Sequence, residues 1–277
     1  MIYQLKKSQY DVVRSLWKEA VIHPVIFGVI EGNNLGDIYV NHKVNPSVAL
    51  IWAYNEMFYL IGKPSNDPFL ANLLSFILRE IKPRAILIGD ETLNLELYPL
   101  HLWTNDIDHI FNDQLSCGFR VPFQFDYEHF NSLHEHDFKL ADGYVHKEIN
   151  EQSLIKGEWG TVEKEILKFW PSLNDFFDKG IGISIWQNDK VVGTCISVFV
   201  AGDEHEIGIN TYNIEDRGKG LATFMAFQFI QHCLEFGGKP HWTTESFRKD
   251  SIAIAQKVGF HPLQEYKSFF VPFKNLK

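Results

Sequence analysis

The sequence predicts two α/β domains in tandem, of the α+β kind, each a mixed and mostly antiparallel sheet flanked by helices. Three observations carry that expectation. The 277 residues suffice for one to two domains at roughly 150 residues each. Apolar residues make up 45% and aromatics 14%, with 23 Phe, which is ample area for packed cores. Two stretches of the chain also repeat one order of segments: short β-branched and aromatic runs, then a helix, then another strand.

In the first stretch, Ile38–Asn41, Ser47–Tyr54 and Met57–Gly62 read as strands separated by Asn45-Pro46 and Asn55-Glu56. Apolar residues at Leu70, Leu73, Leu74, Ile77 and Leu78 predict a helix from Phe69 to Ile81. Lys82-Pro83 is expected to end it, with Ala85–Gly89 as a buried strand.

The second stretch opens with an entry strand, Tyr144–Ile149, and two short helices across Thr161–Phe177 broken at Pro171. Ile181–Gln187 and Val191–Val200 form a hairpin around Asn188-Asp189-Lys190, and a third strand covers Glu204–Tyr212. A helix over Gly218–Phe236 stops at Gly237-Gly238. Pro240–Glu245 follows as a strand, Lys249–Val258 as a helix ended by Gly259, and His261–Pro272 as terminal strands. The polar stretch Phe130–Ala141 is expected to be the linker, giving domains 1–130 and 138–277.

Charge and composition narrow the function. Lys plus Arg is 26 against 35 Asp plus Glu, a net of −9, which disfavours a general nucleic-acid binder that must neutralise phosphates. No apolar run reaches the roughly 18–20 residues of a membrane span, and no signal peptide is visible. Cys117, Cys195 and Cys233 have no metal or disulfide spacing and read as reduced thiols of a cytoplasmic protein. The expected partner is a small molecule, with no nucleic acid and no membrane; self-association as a homodimer stays open.

The segment that carries chemistry is Glu206-Ile207-Gly208-Ile209-Asn210-Thr211-Tyr212, followed by Arg217-Gly218-Lys219-Gly220-Leu221-Ala222-Thr223. A strand feeds a loop of glycine and basic residues, which opens a long amphipathic helix. The first turn of a helix has unpaired N–H groups and the positive end of the dipole. Gly218 and Gly220 let backbone approach a phosphate closely, and Arg217 and Lys219 add charge. Alone, such a segment is also compatible with a plain turn; it fits neither a Walker A loop nor GxGxxG.

Arg217-Gly218-Lys219-Gly220-Leu221-Ala222 resembles the Arg/Gln-x-x-Gly-x-Gly/Ala pyrophosphate loop of the GNAT acyltransferases. The hairpin, the Glu206-Ile207-Gly208 strand and the run Ser251–Phe260 resemble that superfamily too, over about Tyr144 to Phe270. Phe169-Trp170-Pro171-Ser172 and Phe176–Gly182 are similar to the branch typified by the zwittermicin A self-resistance acetyltransferase. The resemblance implies acetyl transfer from acetyl-CoA, as co-substrate and without a metal, to a small-molecule amine such as an antibiotic or metabolite. It implies that Gly218–Ala222 hold the pyrophosphate, together with Arg217, Thr223 and Ser251, and that the pantetheine arm runs beside Asn210, Thr211 and Tyr212 where that strand splays from Trp242–Glu245. A backbone N–H near Tyr212 is expected to polarise the thioester carbonyl.

The sequence departs from the family at the general acid. Many members carry a Tyr four residues before the Gly-Phe pair, where this chain has Ala255, and an Asn three residues before Ser251, where it has Arg248. Glu206 is the first candidate base, Glu245 the second, and Tyr212 and Tyr266 are candidate acids; a solvated strand carboxylate or a packing tyrosine is the plain alternative for each. The departure keeps a second reading open, a non-catalytic module that binds acyl-CoA or a protein partner. Aminoacyl transfer of the peptidoglycan-bridge type is disfavoured by the acidic composition.

Other features have simpler readings. His134 and His136 could share one face of a strand as metal ligands, but no second ligand cluster accompanies them. Asp106-Ile107-Asp108-His109 reads as a polar loop or helix start, while Cys195, Cys233, Trp170 and Trp186 read as core. Trp242 is core or a wall of the acceptor pocket. In the first half, Lys63-Pro64-Ser65-Asn66-Asp67-Pro68 stands where the glycine loop would be. Its prolines lack donors, so this half is expected to be degenerate, supporting the fold and walling one side of the acceptor cleft.

Overall fold

The computed structural model describes residues 1–19, 21–63, 68–103, 107–154 and 159–277. It divides into two compact units, Met1–Phe119 with Tyr266–Lys277, and Arg120–Glu265. Strands in chain order are β1 Tyr3–Gln4, β2 Gly36–Val40, β3 Val48–Ala53, β4 Met57–Gly62, β5 Thr92–Tyr98, β6 Ser116–Phe125 and β7 Val145–Glu148. They continue as β8 Gly182–Gln187, β9 Lys190–Ala201, β10 Glu204–Thr211, β11 Lys239–His241, β12 Thr243–Glu245, β13 Phe260–Pro262 and β14 Tyr266–Pro272.

In the first unit the strands run β1-β2-β3-β4-β5-β14. All neighbours are antiparallel except β4 and β5, which are parallel from Phe58 opposite Leu95 to Ile61 opposite Tyr98. A helical crossover joins that parallel pair, as a parallel pair requires. Its stripe of fully buried Phe69, Leu73, Ile77, Ile81 and Ala85, each four residues from the last, lies on one helix face.

The crossover differs from the sequence expectation in two ways. It is three segments, Pro68–Ala71, Leu73–Phe76 and a π turn over Ile77–Ile81, and it then continues as a helix through Lys82–Leu87. Pro83 sits in the first turn of that helix, where a missing N–H costs nothing. The Ala85–Gly89 strand therefore does not exist: Ile86, Leu87 and Ile88 are 50%, 86% and 40% exposed, and the true strand, β5, comes next.

The second unit holds a sheet ordered β11-β10-β9-β8-β7, antiparallel except for β10 with β11. The β8–β9 hairpin turns on Asn188 and Asp189, both at positive φ (49° and 60°), the dihedrals of a two-residue type I′ turn. The helix Leu221–Glu235 lays Leu221, Met225 and Phe229 into a core with Ile183, Ile185 and Cys195. The expected Pro240–Glu245 strand is two strands broken at buried Trp242. β11 pairs with β10, whereas β12 pairs with the Arg120–Pro122 part of β6.

These units do not coincide with the halves 1–130 and 138–277. β14 hydrogen-bonds to β5, so the last strand belongs to the first unit. Phe130–Ala141 is not a linker but structure of the second unit. Tyr127–Ser132 is a helix capped by the Asp126 carboxylate, which accepts from His129 N–H, and Phe130 is 6% exposed. Phe138 stacks on Phe227 at 4.2 Å between ring centroids. His134 precedes and His136 lies within a 3-10 turn at Glu135–Asp137, so they do not share a strand face, and their rings stack on each other. The expected short helices occur as Gly160–Ile166 and Leu173–Lys179, the latter capped by Ser172. Pro64–Asp67 of the first-half loop, and Asp106, lie outside the described residues.

If residues 130–141 are part of the domain, Phe138→Ala should lower stability by roughly 1–2 kcal/mol, less than the 3–5 of a fully buried phenylalanine. Urea denaturation checks this; a linker residue would leave the midpoint unchanged.

Candidate functional site

After β10 the chain passes through the 3-10 turn Ile214–Asp216 and enters the Leu221–Glu235 helix. Gly218 and Gly220 have φ of 75° and 81°, a conformation costing about 1–2 kcal/mol for a residue with a Cβ. A Cβ on either would meet no atom within 4 Å, so glycine is required by the dihedral, and the space before it is open. The N–H groups from Gly218 through Thr223 have no intramolecular acceptor among the described residues; the ladder resumes with Phe224 N–H to Gly220 O at 3.0 Å. Successive open amides at the positive end of a helix form a site for an anion.

The loop is held from beneath by Asp216, which is 3% exposed. Its carboxylate accepts from Tyr144 Oη (2.6 Å), Asn213 Nδ2 (3.0 Å) and Lys219 Nζ (3.2 Å). Those bonds, Tyr144 foremost, hold the carboxyl below its ordinary range. Lys219 also donates to Tyr144 Oη at 2.6 Å, so the ammonium expected to face an anion is turned back onto the loop's own anchor. The Arg217 guanidinium is exposed and makes no hydrogen bond or ion pair among the described residues.

Beside the loop the sheet opens. β11 follows β10 only over Glu204–Glu206, opposite Lys239–His241. Tyr212 N–H donates to Val192 O at 2.9 Å. Antiparallel bonds alternate, so Asn210 and Gly208 also turn their backbone groups toward β9. Ile209 and Thr211 turn theirs to the side that β11 has left, while Ile207, next to the last register pair, is still within reach of β11. The backbone groups able to meet an extended ligand are therefore those of Ile209 and Thr211, not the N–H of Tyr212 itself.

Side chains along this opening have defined partners. Glu206, 4% exposed, hydrogen-bonds to His241 Nδ1. Burial pulls the His241 imidazole down, but the charge and hydrogen bond of Glu206, aided by Glu204, outweigh it, and the ring protonates more readily than an ordinary histidine. Glu245 is 3.4 Å from Arg120 Nη1. Tyr212 Oη lies 2.9 Å from Thr194 Oγ1, and burial pushes this phenol up to about 12, against the Thr194 bond. Asn210 Nδ2 donates to Glu165 at 2.9 Å, and Lys168 bonds the other oxygen. Ser251 Oγ accepts from Trp242 Nε1 at 3.2 Å.

Ala255 is fully buried among apolar side chains, so the position of the family tyrosine faces core. Tyr266 belongs to the first unit and donates to Glu96 at 3.0 Å. Cys195, Cys233, Trp170 and Trp186 are buried, and burial raises both thiols, Cys233 to about 12. Among the described residues no three His, Cys, Asp or Glu side chains gather as a metal site, and no helix is long and apolar enough to cross a membrane.

Two α/β units, one with an open-amide helix start beside parting strands, define the acetyltransferase class that the sequence motifs indicate. A family model described as GNAT acetyltransferase matches residues 14–269, and the chain belongs to that family. It is 24% identical over 272 residues to the uncharacterized N-acetyltransferase YdfB of Bacillus subtilis (strain 168), covering 98% of each chain. A GCN5-related N-acetyltransferase-like protein from Streptococcus suis 89/1591 superposes with a TM-score of 0.69 at 24% identity, over 95% of this chain and 98% of that one. A tandem GNAT protein from the clavulanic acid biosynthesis pathway gives 0.53 at 10% identity, over 99% and 98%. These likenesses show the shared tandem fold.

Sequence reasoning passed over His241, Asp216 and Tyr144. The strand register that sets His241 opposite Glu206 has no local signal, and Tyr144 is 72 residues from Asp216. A polar Asn-x-x-Asp pair inside the loop was the only trace of the anchor.

The anchor makes a pH prediction. A carboxyl whose folded pKa is depressed stabilises the fold above its unfolded value, about 3.9, and loses that contribution as pH falls through the folded value. Wild type should thus be more stable than Asp216→Asn near neutrality, and the gap should close below pH 4. Urea midpoints between pH 2.5 and 6 measure it; a constant gap would show that the charge of Asp216 is irrelevant.

Proposed function

We propose that the protein is an N-acetyltransferase that moves an acetyl group from acetyl-CoA to a primary amine of a small molecule. The observation that carries this reading is the run of open amides from Gly218 to Thr223 beside a strand edge left bare by β11. The donor chemistry fits. Amides and Arg217 suit a pyrophosphate, and the open backbone groups of Ile209 and Thr211 suit the amide-bearing pantetheine arm. Bound there, acetyl-CoA supplies a thioester whose carbonyl carbon is open to an amine. Asn210, Thr211 and Tyr212 flank the arm, Leu221 and Ala222 complete the helix start, and Ser251 is held by the indole of Trp242, where β11 and β12 part.

The chain must deprotonate an ammonium, polarise a carbonyl and protonate a thiolate. Glu206 and Glu245 are the carboxylates at the opening, and Glu206 is the one buried at the point where the strands part. Tyr212, protonated throughout the working range, is the hydrogen donor on this side. Similarity of Phe169–Gly182 supports placing the chain in the branch typified by the zwittermicin A self-resistance acetyltransferase, and an acidic protein suits a cationic acceptor. The proposed setting is the cytoplasm, without nucleic acid or membrane partners; a homodimer is the oligomer to look for. One observation favours a second reading, acyl-CoA binding without turnover: the position of the usual acid is Ala255, sealed in the core.

Calorimetric titration tests the first step. Wild type should bind acetyl-CoA and desulfo-CoA but not ATP at micromolar concentration. Gly220→Trp should abolish binding while the protein stays folded at a lowered urea midpoint, since its Cβ meets no atom but the positive φ costs about 1–2 kcal/mol. Retained affinity in that variant would remove the loop from the site, and thiol release with a panel of amines separates turnover from binding alone.

A further inference from the structure

The last rung of the β10–β11 ladder bears on which group takes the proton from the incoming ammonium. The final register pair is Glu206 opposite His241. The next residue is buried Trp242, and Thr243 already pairs with Pro122 of β6. The two side chains therefore meet where the strands part. Glu206 Oε2 contacts Nδ1 of His241. A carboxylate only accepts, so Nδ1 carries the hydrogen and the neutral ring has its lone pair on Nε2. The Glu206 side chain is 5% exposed and that of His241 19%, so the imidazole is the member of the pair that reaches the surface.

We propose that His241 is the general base that deprotonates the acceptor amine, and that Glu206 is a positioning residue that fixes its tautomer and balances its charge. This deepens, and rests on, the acetyl-transfer reading. The acceptor ammonium gives one proton to His241 Nε2. The freed nitrogen lone pair forms the N–C bond to the thioester carbonyl carbon, and the C–S bond breaks with its electron pair on sulfur. The second nitrogen proton ends on sulfur, and the ring returns its proton to solvent.

The charges around the ring suit that task. Glu206 and Glu204 from β10 favour its protonation, and Arg120 from β6 opposes it. The net rise brings the imidazole toward the working pH of a general base. His205, on the same strand, is the contrast. Its Nδ1 bonds Ser197 Oγ at 3.0 Å, a Cβ on Gly238 would lie 2.8 Å from its Nε2, and burial pushes it down to about 4.

The test uses the full chain, nitrogen-resolved histidine NMR, calorimetry with acetyl-CoA, and kinetics with tyramine, glucosamine and putrescine. Neutral His241 should be the Nδ1–H tautomer. In Glu206→Gln its pKa should fall, the acid limb of kcat/KM should move down by the same interval, and Glu206→Asp should restore part of both. His241→Gln should lose about a hundredfold or more in kcat with acetyl-CoA affinity within about twofold. An Nε2–H tautomer, an acid limb that stays put while the ring pKa moves, or an active His241→Gln would each overturn the assignment and leave acetyl transfer standing. Acetyl-CoA binding without acetylation of any of the three amines overturns the base but not the cofactor site. Failure of wild type to bind acetyl-CoA overturns both.

Discussion

The parallel ladder between β10 and β11 ends after Glu206 and His241, leaving the backbone of Ile209 and Thr211 facing no strand. A sheet edge inside a folded unit is a row of unsatisfied donors and acceptors, which proteins ordinarily cover. Here it is kept by construction. β11 runs out after three residues, and the chain crosses buried Trp242 to β12, which is engaged with β6. The edge is also bent. β9 carries an extra residue, Val198, opposite the Glu206–Ile207 step, and a bulge sharpens local twist. Gly208 makes room for it, since a Cβ there would lie 2.3 Å from Val198 Cγ1.

What stands at the end of that edge is held by dipoles more than by charge. The loop is compatible with an anion because two residues at positive φ aim successive amides outward, and because Asp216 holds the turn from below. A buried carboxylate close to an anion site would repel the ligand if left bare. Lys219 and Tyr144 bond to it, which explains why the ammonium of a lysine in a motif of basic appearance is engaged by the loop itself.

Much of the second unit was legible in the sequence because its signals are local. Asn188-Asp189 specifies a tight turn, Gly237-Gly238 stops a helix, and the Arg217–Ala222 run names its own geometry. The errors came where local rules meet tertiary context. Pro83 reads as a helix terminator, yet in a first turn it is a starter. Phe130–Ala141 reads as polar linker because its histidines and acids outnumber Phe130, Phe138 and Leu140, and those three decide the packing. β5 and β6 carry Glu96, Arg120 and Pro122, polar or ladder-breaking residues that hide a strand until its partners are known. The same limit applies to the site. Residues joined by one loop were found, and those joined by strand register, such as Glu206 with His241, were not.

The pairing of β14 with β5 has a consequence for how the protein comes into being. The first unit is assembled from the opening and closing stretches of the chain, with the second unit spliced between Phe119 and Tyr266. During synthesis the second unit has all its strands in hand while the first still lacks one, so the exit order of the ribosome favours completion of the later-encoded unit first. Until Tyr266–Pro272 emerges, the edge of β5 stays open, and a nascent chain in that state carries a strand edge that other chains can take up.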